Sequence, residues 1–306
     1  MGELTMQDDL QLVQQVAAVT GGGRGIGRAI AATLSAAGAT TAVLARSASE
    51  IDATARMIEQ AGGRARPFVV DVTDAVTVGR IFREIERSLG PVTLLVNNAA
   101  VPGPIGPFWE ADSVEWWRTL DVNLRGVVLC SRAVLPGMIA RSKGRIINIA
   151  SSAMPVPYFS SYATSKAAVV RFTETIAGEV KPYGVSTFAV GPGTVRTAMA
   201  EHSLRCDDGK KWLPWFKRIF DEDLDVSAER PARLVLQLAS GRADKLSGRF
   251  LSIWDDLDSL LQNGKEIEER QLYSLRVQTL DGRGDGSALT AIRAEAERPL
   301  TQEPKQ

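Results

Sequence analysis

Short apolar segments alternate with helical segments along most of the chain, and this alternation constrains the fold more than any other feature of the sequence. Six strands are predicted, at residues 15–20, 40–45, 66–70, 92–96, 145–150 and 185–190. Apolar strands separated by helices are typical of a parallel sheet that helices cover on both faces, with right-handed crossovers. We therefore expect an α/β fold with a doubly wound parallel sheet.

A glycine-rich turn joins the first strand to the first helix. Its glycines stand at 21, 25 and 27, a G-x-x-x-G-x-G spacing, and the helix ends at Gly38, which can cap it. Glycines let a backbone approach a pyrophosphate closely, and the free N–H groups of a helix N-terminus favour an anion. The turn predicts a dinucleotide site; a glycine-rich turn without a ligand is the alternative.

The end of the second strand bears on the choice of dinucleotide. An Asp or Glu there holds the ribose 2′-hydroxyl of NAD, whereas an Arg accommodates the 2′-phosphate of NADP. This strand ends at Arg46, and Glu50 and Asp52 come too late, on the next helix. Arg24 in the glycine loop is a second cation. The sequence favours NADP(H) over NAD(H), unless Arg46 is only a solvated charge.

A tyrosine and a lysine, Tyr162 and Lys166, stand four residues apart on one face of a predicted helix. A phenol alone titrates near pH ~10, and a neighbouring ammonium favours the phenolate and lowers that pKa. The pair is therefore a candidate for proton transfer. The alternative interpretation is a surface lysine beside a half-buried tyrosine.

Composition excludes several classes of function. Lys+Arg and Asp+Glu both number 36 among 306 residues, so the charge predicts no nucleic-acid or membrane partner. Cys130, Cys206 and the single histidine, His202, which we interpret as a loop residue, predict no disulfide framework and no metal site. The polar start is unlike a signal peptide, and no apolar run approaches the ~20 residues that span a bilayer. We expect a soluble, cytoplasmic protein.

Five motifs agree in order and spacing with one known family. They lie at residues 20–27, 71–72, 97–99, 162–166 and 192–197. On these motifs, residues 14–253 resemble the short-chain dehydrogenase/reductase family. The resemblance implies a single Rossmann-type catalytic domain that transfers a hydride between NADP(H) and a secondary alcohol or ketone, in a homodimer or homotetramer. Alternatives are an NAD(H)-dependent alcohol dehydrogenase of the same family or a non-catalytic dinucleotide-binding sensor or scaffold.

The resemblance also implies roles for individual residues. Tyr162 is the general acid in carbonyl reduction and the base in alcohol oxidation, and Lys166 lowers its pKa and binds the nicotinamide ribose. Ser151 hydrogen-bonds the substrate oxygen, and Asn123 helps to hold a water that relays protons to Lys166. The implied cofactor-binding residues are Gly21, Arg24, Gly25, Ile26, Gly27, Arg46, Asp71, Val72, Asn97, Ala99, Tyr162, Lys166, Val195 and Thr197.

The chain departs from the family pattern in three places. Ala100 replaces the usual glycine after the 97–99 motif. Ser151 stands 11 residues before Tyr162, closer than is common, and its neighbour Ser152 is an alternative. After residue 253 the chain continues for about fifty residues, where many relatives stop.

The resemblance sets the bounds of the catalytic domain at residues 14–253, and two extensions flank it. Residues 1–13 form an N-terminal extension, 198–226 form a helical substrate lid within the domain, and 254–306 form a C-terminal extension, helical at first and then mobile. The lid is rich in large apolar residues, which favour a bulky or apolar substrate or else pack the lid onto the domain: Met199, Trp212, Pro214, Trp215, Phe216 and Phe220. Tyr158, Phe159 and Trp109 are further candidates for the pocket. We expect Trp116 and Trp117 to pack at the domain surface or at a subunit contact.

Overall fold

A seven-stranded parallel sheet runs through the computed structural model, which describes residues 10–151 and 154–277. The strand order is β3-β2-β1-β4-β5-β6-β7. The six predicted strands are present, and a seventh, only three residues long, was too short for a sequence pattern to reveal. The strands are β1 Val16–Thr20, β2 Thr40–Ala45, β3 Arg64–Val69, β4 Val92–Asn97, β5 Gly144–Ile149, β6 Val185–Gly191 and β7 Phe250–Ser252.

Twelve α-helices accompany the sheet in the described residues. They are α1 Gly25–Ala36, α2 Ala48–Gln60, α3 Ala75–Leu89, α4 Ser113–Leu120, α5 Gly126–Ala140, α6 Ser160–Val180, α7 Ala198–Arg205, α8 Asp207–Trp212, α9 Pro214–Asp221, α10 Glu229–Ala239, α11 Leu257–Gln262 and α12 Gly264–Glu269. His202, expected in a loop, lies on α7. The doubly wound α/β fold is confirmed.

Alternating side chains of the strands fill two hydrophobic cores. In β1, Ala17 and Val19 belong to a core with α1 and α10, whereas Val16 and Ala18 belong to a core with α3 and α5. Successive side chains of a strand point to opposite faces, so the two cores lie on opposite sides of the sheet. This explains why the central strands are mostly apolar, whereas β3, at the edge of the sheet, contains Arg64 and Arg66.

Polar residues after the strand ends fix where the helices begin. The Ser47 hydroxyl accepts a hydrogen bond from the Glu50 amide at the start of α2, and Asp74 accepts from the amides of Val76 and Thr77 at the start of α3. Such N-caps satisfy amides that have no partner inside the helix. The helices therefore start close to the carboxyl ends of the strands.

The strand order reverses between β1 and β4. β1 pairs with β2 on one side and with β4 on the other, with Val19 opposite Val43 and Val96. The helices after β1 and after β4 leave in opposite directions from this point, so a crevice opens at the carboxyl ends of the two strands. The site described below occupies this crevice.

The helical region predicted at 112–141 is one long helix with an irregular centre. α4 and α5 are joined by a π-helical turn, Asp121–Arg125. Among the described residues, this 28-residue helix is long and apolar enough to cross a membrane by length and composition alone, although no uninterrupted apolar run in it approaches ~20 residues. Arg125 and Arg132 interrupt its apolar residues and hid it from a search for a continuous run. Its inner face, which includes Cys130 and Met138, is buried on the sheet.

The C-terminal extension begins by packing on the body of the protein. Leu257 and Leu260 of α11 and Ile267 of α12 are buried in the core that contains α1 and α10. The helical spacing predicted from residue 254 thus corresponds to α11 and α12. The expectation of mobility for 281–306 lies outside the described residues, as does most of the segment 1–13.

Candidate active site

A cleft of about 370 Å³ opens at the carboxyl ends of the central strands. Its wall includes most of the residues expected to bind the cofactor: Gly21, Arg24, Gly25, Ile26, Gly27, Arg46, Asp71, Val72, Ala99, Tyr162, Lys166 and Thr197. Ala100, the departure from the family pattern, also lines it. The sequence motifs therefore meet in space, at the place where the strand order reverses.

The glycine turn forms a cradle that side chains would fill. Gly21 and Gly25 have φ angles of 63° and 52°, which favour glycine. A Cβ on Gly27 would lie 2.2 Å from the Gly21 carbonyl oxygen. The N-cap of α1, Arg24, makes no capping hydrogen bond with its side chain, so the first amides of the helix face the cleft without that partner. This cradle fits a dinucleotide pyrophosphate.

Thr20 fastens the two strands that border the cleft. Its Oγ1 accepts hydrogen bonds from the amides of Asn98 and Ala99, at 3.0 and 3.1 Å. The Asn98 amide nitrogen donates back to the carbonyl oxygens of Thr20 and Gly21, at 3.0 and 3.2 Å. Asn98 therefore shapes the glycine cradle, a role that the sequence motif alone did not assign to it.

Two residues expected to line the cofactor lie behind the wall instead. Asn97 is buried, and its Nδ2 donates to Ser131 Oγ at 3.2 Å and to Asn148 Oδ1 at 2.9 Å. Val195 is also buried and forms a β-bridge with Val226. Asn98, the neighbour of Asn97, lines the cleft, since side chains on an extended segment alternate between faces. Around Val195 the cleft is lined by Pro192 and Thr197.

Lys166 lies at the inner end of the cleft, on α6. Its side chain is buried, and Nζ donates to the Ile149 carbonyl oxygen at 2.8 Å, directly at the end of β5. Burial lowers the pKa of Lys166 to about 8, because an ammonium loses hydration there. Nζ lies 5.8 Å from the centroid of the Tyr162 ring. The spacing of four residues thus brings the pair together as expected.

Tyr162 is held by neighbours on both sides. The Phe159 ring stacks on it at 4.7 Å, and the Tyr162 hydroxyl shares a hydrogen bond with the Ser151 side chain. Burial raises the pKa of Tyr162, and the hydrogen bond with Ser151 only partly opposes this. The expected lowering of this pKa by Lys166 is therefore not what the structure shows, because the effect of burial prevails. The alternative serine, Ser152, lies outside the described residues.

Asn123 connects the π-helical turn to α6. Its Nδ2 donates to the Val101 carbonyl oxygen at 2.9 Å and to Ser165 Oγ at 3.1 Å, and its Oδ1 accepts from the Val101 amide at 2.8 Å. Ser165 in turn donates to the Tyr162 carbonyl oxygen at 2.7 Å. A π-turn shifts side chains out of the regular helical positions, which places Asn123 beside α6.

A second group of buried polar side chains ties the sheet to α6. Asn97 donates to Asn148, and Asn148 Nδ2 donates to Thr173 Oγ1 at 2.9 Å. These residues belong to β4, β5 and α6. The signal available in the sequence was an asparagine inside each of two otherwise apolar strands.

The outer end of the cleft carries paired charges. Arg46 Nη1 lies 4.0 Å from Asp71 Oδ2, and Arg24 Nη1 lies 3.2 Å from Glu50 Oε1. Burial raises the pKa of Asp71, but hydrogen bonds from Thr73 and the charge of Arg46 outweigh it and hold the pKa below its usual value. Glu50 lines the cleft although its late position in the sequence argued against it. The Ser47-x-x-Glu50 capping pattern was the signal that could have placed it.

No group of three or more His, Cys, Asp or Glu side chains that could hold a metal occurs within residues 10–151 and 154–277.

Comparison with known proteins identifies the family. The short chain dehydrogenase family model matches residues 15–207. A short chain dehydrogenase of Pseudocercospora fijiensis is 32% identical over 280 residues, which are 87% of this chain and 90% of that protein.

Solved structures share the fold. A metagenomic short-chain oxidoreductase in complex with NADP is 31% identical with a TM-score of 0.63, over 75% of this chain and 92% of that chain. A variant of actinorhodin polyketide ketoreductase with NADPH is 31% identical with a TM-score of 0.71, over 78% of this chain and 95% of that chain. The chain therefore belongs to the short chain dehydrogenase family and is an NAD(P)-dependent oxidoreductase that acts on CH–OH groups.

Proposed function

We propose that the protein transfers a hydride between NADP(H) and a secondary alcohol or ketone, with Tyr162 as general acid in reduction and general base in oxidation. The observation that carries the proposal is the arrangement around Tyr162 in the cleft, whose hydroxyl hydrogen-bonds the Ser151 side chain and whose ring centroid lies 5.8 Å from Lys166 Nζ. When bound, the dinucleotide supplies or accepts the hydride. The chain's own side chains orient the substrate oxygen and move the proton.

The protonation states suit this chemistry. A tyrosine whose pKa is raised keeps its proton at neutral pH and can donate it to a developing alkoxide. The Ser151 hydroxyl, which bonds the Tyr162 hydroxyl, is placed to hold the same substrate oxygen. The buried ammonium of Lys166 stabilises the phenolate that proton donation leaves behind.

We propose NADP(H) as the cofactor on the basis of the cations in the cleft. Arg24 and Arg46 both line its outer end, where a 2′-phosphate would require positive charge. The structures of two relatives are described with NADP and NADPH. The ion pairs of these arginines with Glu50 and Asp71 favour a second candidate, an NAD(H)-dependent dehydrogenase of the same family.

We propose that residues 198–226 form the substrate lid. They comprise α7, α8 and α9, and Met199 lines the cleft. The Trp212 ring of α8 lies 4.8 Å from the Tyr158 ring, and the Gly106 amide donates to the Tyr158 carbonyl oxygen at 2.8 Å. Tyr158 has a φ of 64°, and such strain outside glycine collects at functional sites. These aromatic rings support a bulky or apolar substrate.

We also propose a homodimer or homotetramer that contacts through α4. The support is a group of exposed apolar side chains next to that helix: Phe108, Trp109, Val114 and Trp117. Apolar patches of this kind mark interaction surfaces. A cytoplasmic location stays a prediction.

A screen tests the proposed activity. Oxidation of NADPH and of NADH is followed at 340 nm with a panel of ketones from small aliphatic to large polycyclic compounds. We expect turnover with NADPH and a preference for large apolar ketones. Equal or faster turnover with NADH would overturn the cofactor assignment, and cofactor binding without hydride transfer to any ketone, or from any alcohol in the reverse direction, would overturn the reaction.

A further inference from the structure

Glu50 is a carboxylate in the cofactor cleft that belongs to none of the five sequence motifs. Its Oε1 lies 3.2 Å from Nη1 of Arg24, the arginine of the glycine loop. The Arg24 side chain is 65% exposed and that of Glu50 35% exposed, so a ligand in the cleft can reach both. Arg24, a cation that would bind a 2′-phosphate, is thus already paired with the Glu50 carboxylate.

The position of Glu50 is fixed by the packing of α2 on the glycine loop. Thr54 Oγ1 donates to the Gly23 carbonyl oxygen at 3.1 Å and also bonds the Glu50 carbonyl oxygen at 3.1 Å. A Cβ on Gly23 would lie 2.8 Å from Glu50 Cβ. The first turn of α2 therefore cannot withdraw from the loop without losing these contacts, and the carboxylate stays beside Arg24.

The second cation is paired less closely. Arg46 Nη1 lies 4.0 Å from Asp71 Oδ2, beyond hydrogen-bond distance. Asp71 is instead engaged by the amide and hydroxyl of Thr73, at 2.9 and 2.8 Å. Arg46 is thus available to an incoming anion, whereas Arg24 must first leave its carboxylate.

We infer that Glu50 sets the cofactor preference by competing with the 2′-phosphate of NADP(H) for Arg24. This inference rests on the proposed dinucleotide function of the cleft. A 2′-phosphate carries the same sign of charge as the Glu50 carboxylate, so it gains Arg24 only at the expense of that pair. NAD(H), which has a hydroxyl at this position, leaves the Arg24–Glu50 pair intact. Glu50 therefore acts against NADP(H) and is neutral toward NAD(H).

Fluorescence titration of the purified full-length chain with NADPH and with NADH, without substrate, tests this inference. In Glu50→Gln, which keeps the shape of the side chain, the dissociation constant for NADPH should fall by about three- to fivefold, the value of one exposed ion pair. The constant for NADH should stay within about twofold. Glu59→Gln removes an exposed carboxylate from the same helix and should change neither constant.

A double-mutant cycle separates competition for Arg24 from simple repulsion. With Arg24→Gln as background, Glu50→Gln should improve NADPH binding far less than in the parent chain, because no cation is left to release. An equal gain in both backgrounds, an unchanged NADPH constant in Glu50→Gln, or an equal gain for NADH would overturn the inference. A parent chain that prefers NADH would contradict the proposed cofactor, yet the change caused by Glu50→Gln would still decide the role of Glu50.

Discussion

At the scale of single residues, Lys166 and Tyr162 hold complementary protonation states. Burial lowers the pKa of the Lys166 ammonium to about 8 and raises the pKa of the Tyr162 hydroxyl. Near pH 7 the lysine is therefore mostly charged and the tyrosine is protonated. This is the state that carbonyl reduction requires, with a proton to donate and a cation to stabilise the phenolate that forms.

The lowered pKa of Lys166 predicts a pH dependence of ketone reduction. The ammonium is present below its pKa and lost above it, so kcat/KM for reduction should fall as pH rises through about 8. The profile is measured at saturating NADPH from pH 6 to 10. In Lys166→Arg the guanidinium stays charged over this range, so residual activity should lack the fall. A profile that is flat to pH 10 in the parent chain would disprove this role of Lys166.

The cleft residues differ in how far the sequence could predict them. The glycines and the Tyr162–Lys166 pair could be predicted from the sequence. The glycines follow from the close approach of the backbone to a ligand, and the pair follows from the spacing of one helical turn. The sequence could not show which of Asn97 and Asn98 lines the cleft, because that depends on the residue at which the strand ends. Glu50 was not expected at the cofactor site because it stands several residues after the end of β2. It reaches the site because the first turn of α2 packs against the glycine loop.

At the scale of elements, buried hydrogen bonds fix α6 relative to the sheet. Asn123 joins the π-helical turn to Ser165, and Asn148 joins β5 to Thr173. Fully buried polar groups specify one arrangement because an unpaired partner is costly. The catalytic helix is thus positioned by polar contacts near its start and near its middle.

Loss of this network should destabilise the protein. Asn148→Ala removes the acceptor of Asn97 and the donor to Thr173, and should lower the free energy of unfolding by about 1–3 kcal/mol. Urea denaturation followed by circular dichroism measures the change. Gln60→Ala, at an exposed residue of α2, is the control and should cost less than about 0.5 kcal/mol. Equal stability of the two variants would show that the network contributes nothing.

Elements were predicted best where a periodic pattern was long. The strands β1 to β6 and the long helix around α5 follow from apolar periodicity. β7 could not be predicted because it has only three residues. The π-helical turn could not be predicted because its apolar pattern is the same as that of the helix around it. Their positions depend on pairing with β6 and on the contact of Asn123 with α6.

At the scale of the whole molecule, residues 273–275 cover the outer edge of β7, the last strand of the sheet. The Phe250 amide, on the outer side of β7, donates to the Tyr273 carbonyl oxygen at 2.8 Å, and the Ser252 amide donates to Asp255 Oδ2 at 2.6 Å. Glu174 of α6 accepts a hydrogen bond from the Leu275 amide. Unpaired edge amides invite pairing with another chain, and here the protein's own C-terminal segment satisfies them.

The exposed aromatic side chains beside α4 predict the site of self-association. Trp117, 63% exposed, should be buried in a homodimer or homotetramer, and Trp117→Lys should then shift the mass in light scattering toward the 33.0 kDa monomer. A lysine at a buried apolar interface leaves an unpaired charge there. Val76→Lys, at an apolar side chain of α3 that is 82% exposed, should leave the mass unchanged. A Trp117→Lys protein with the parent mass would place the contact elsewhere.

The proposed acid–base role of Tyr162 is tested most directly by turnover of Tyr162→Phe. With NADPH and a ketone that the parent chain reduces, kcat should fall by about 10²–10⁴-fold, because the general acid is lost while the ring remains. Tyr183→Phe, at an exposed turn, should keep the parental turnover and the parental NADPH binding. A Tyr162→Phe protein that retains turnover within about threefold of the parent would contradict the account, since that is less than general acid catalysis contributes.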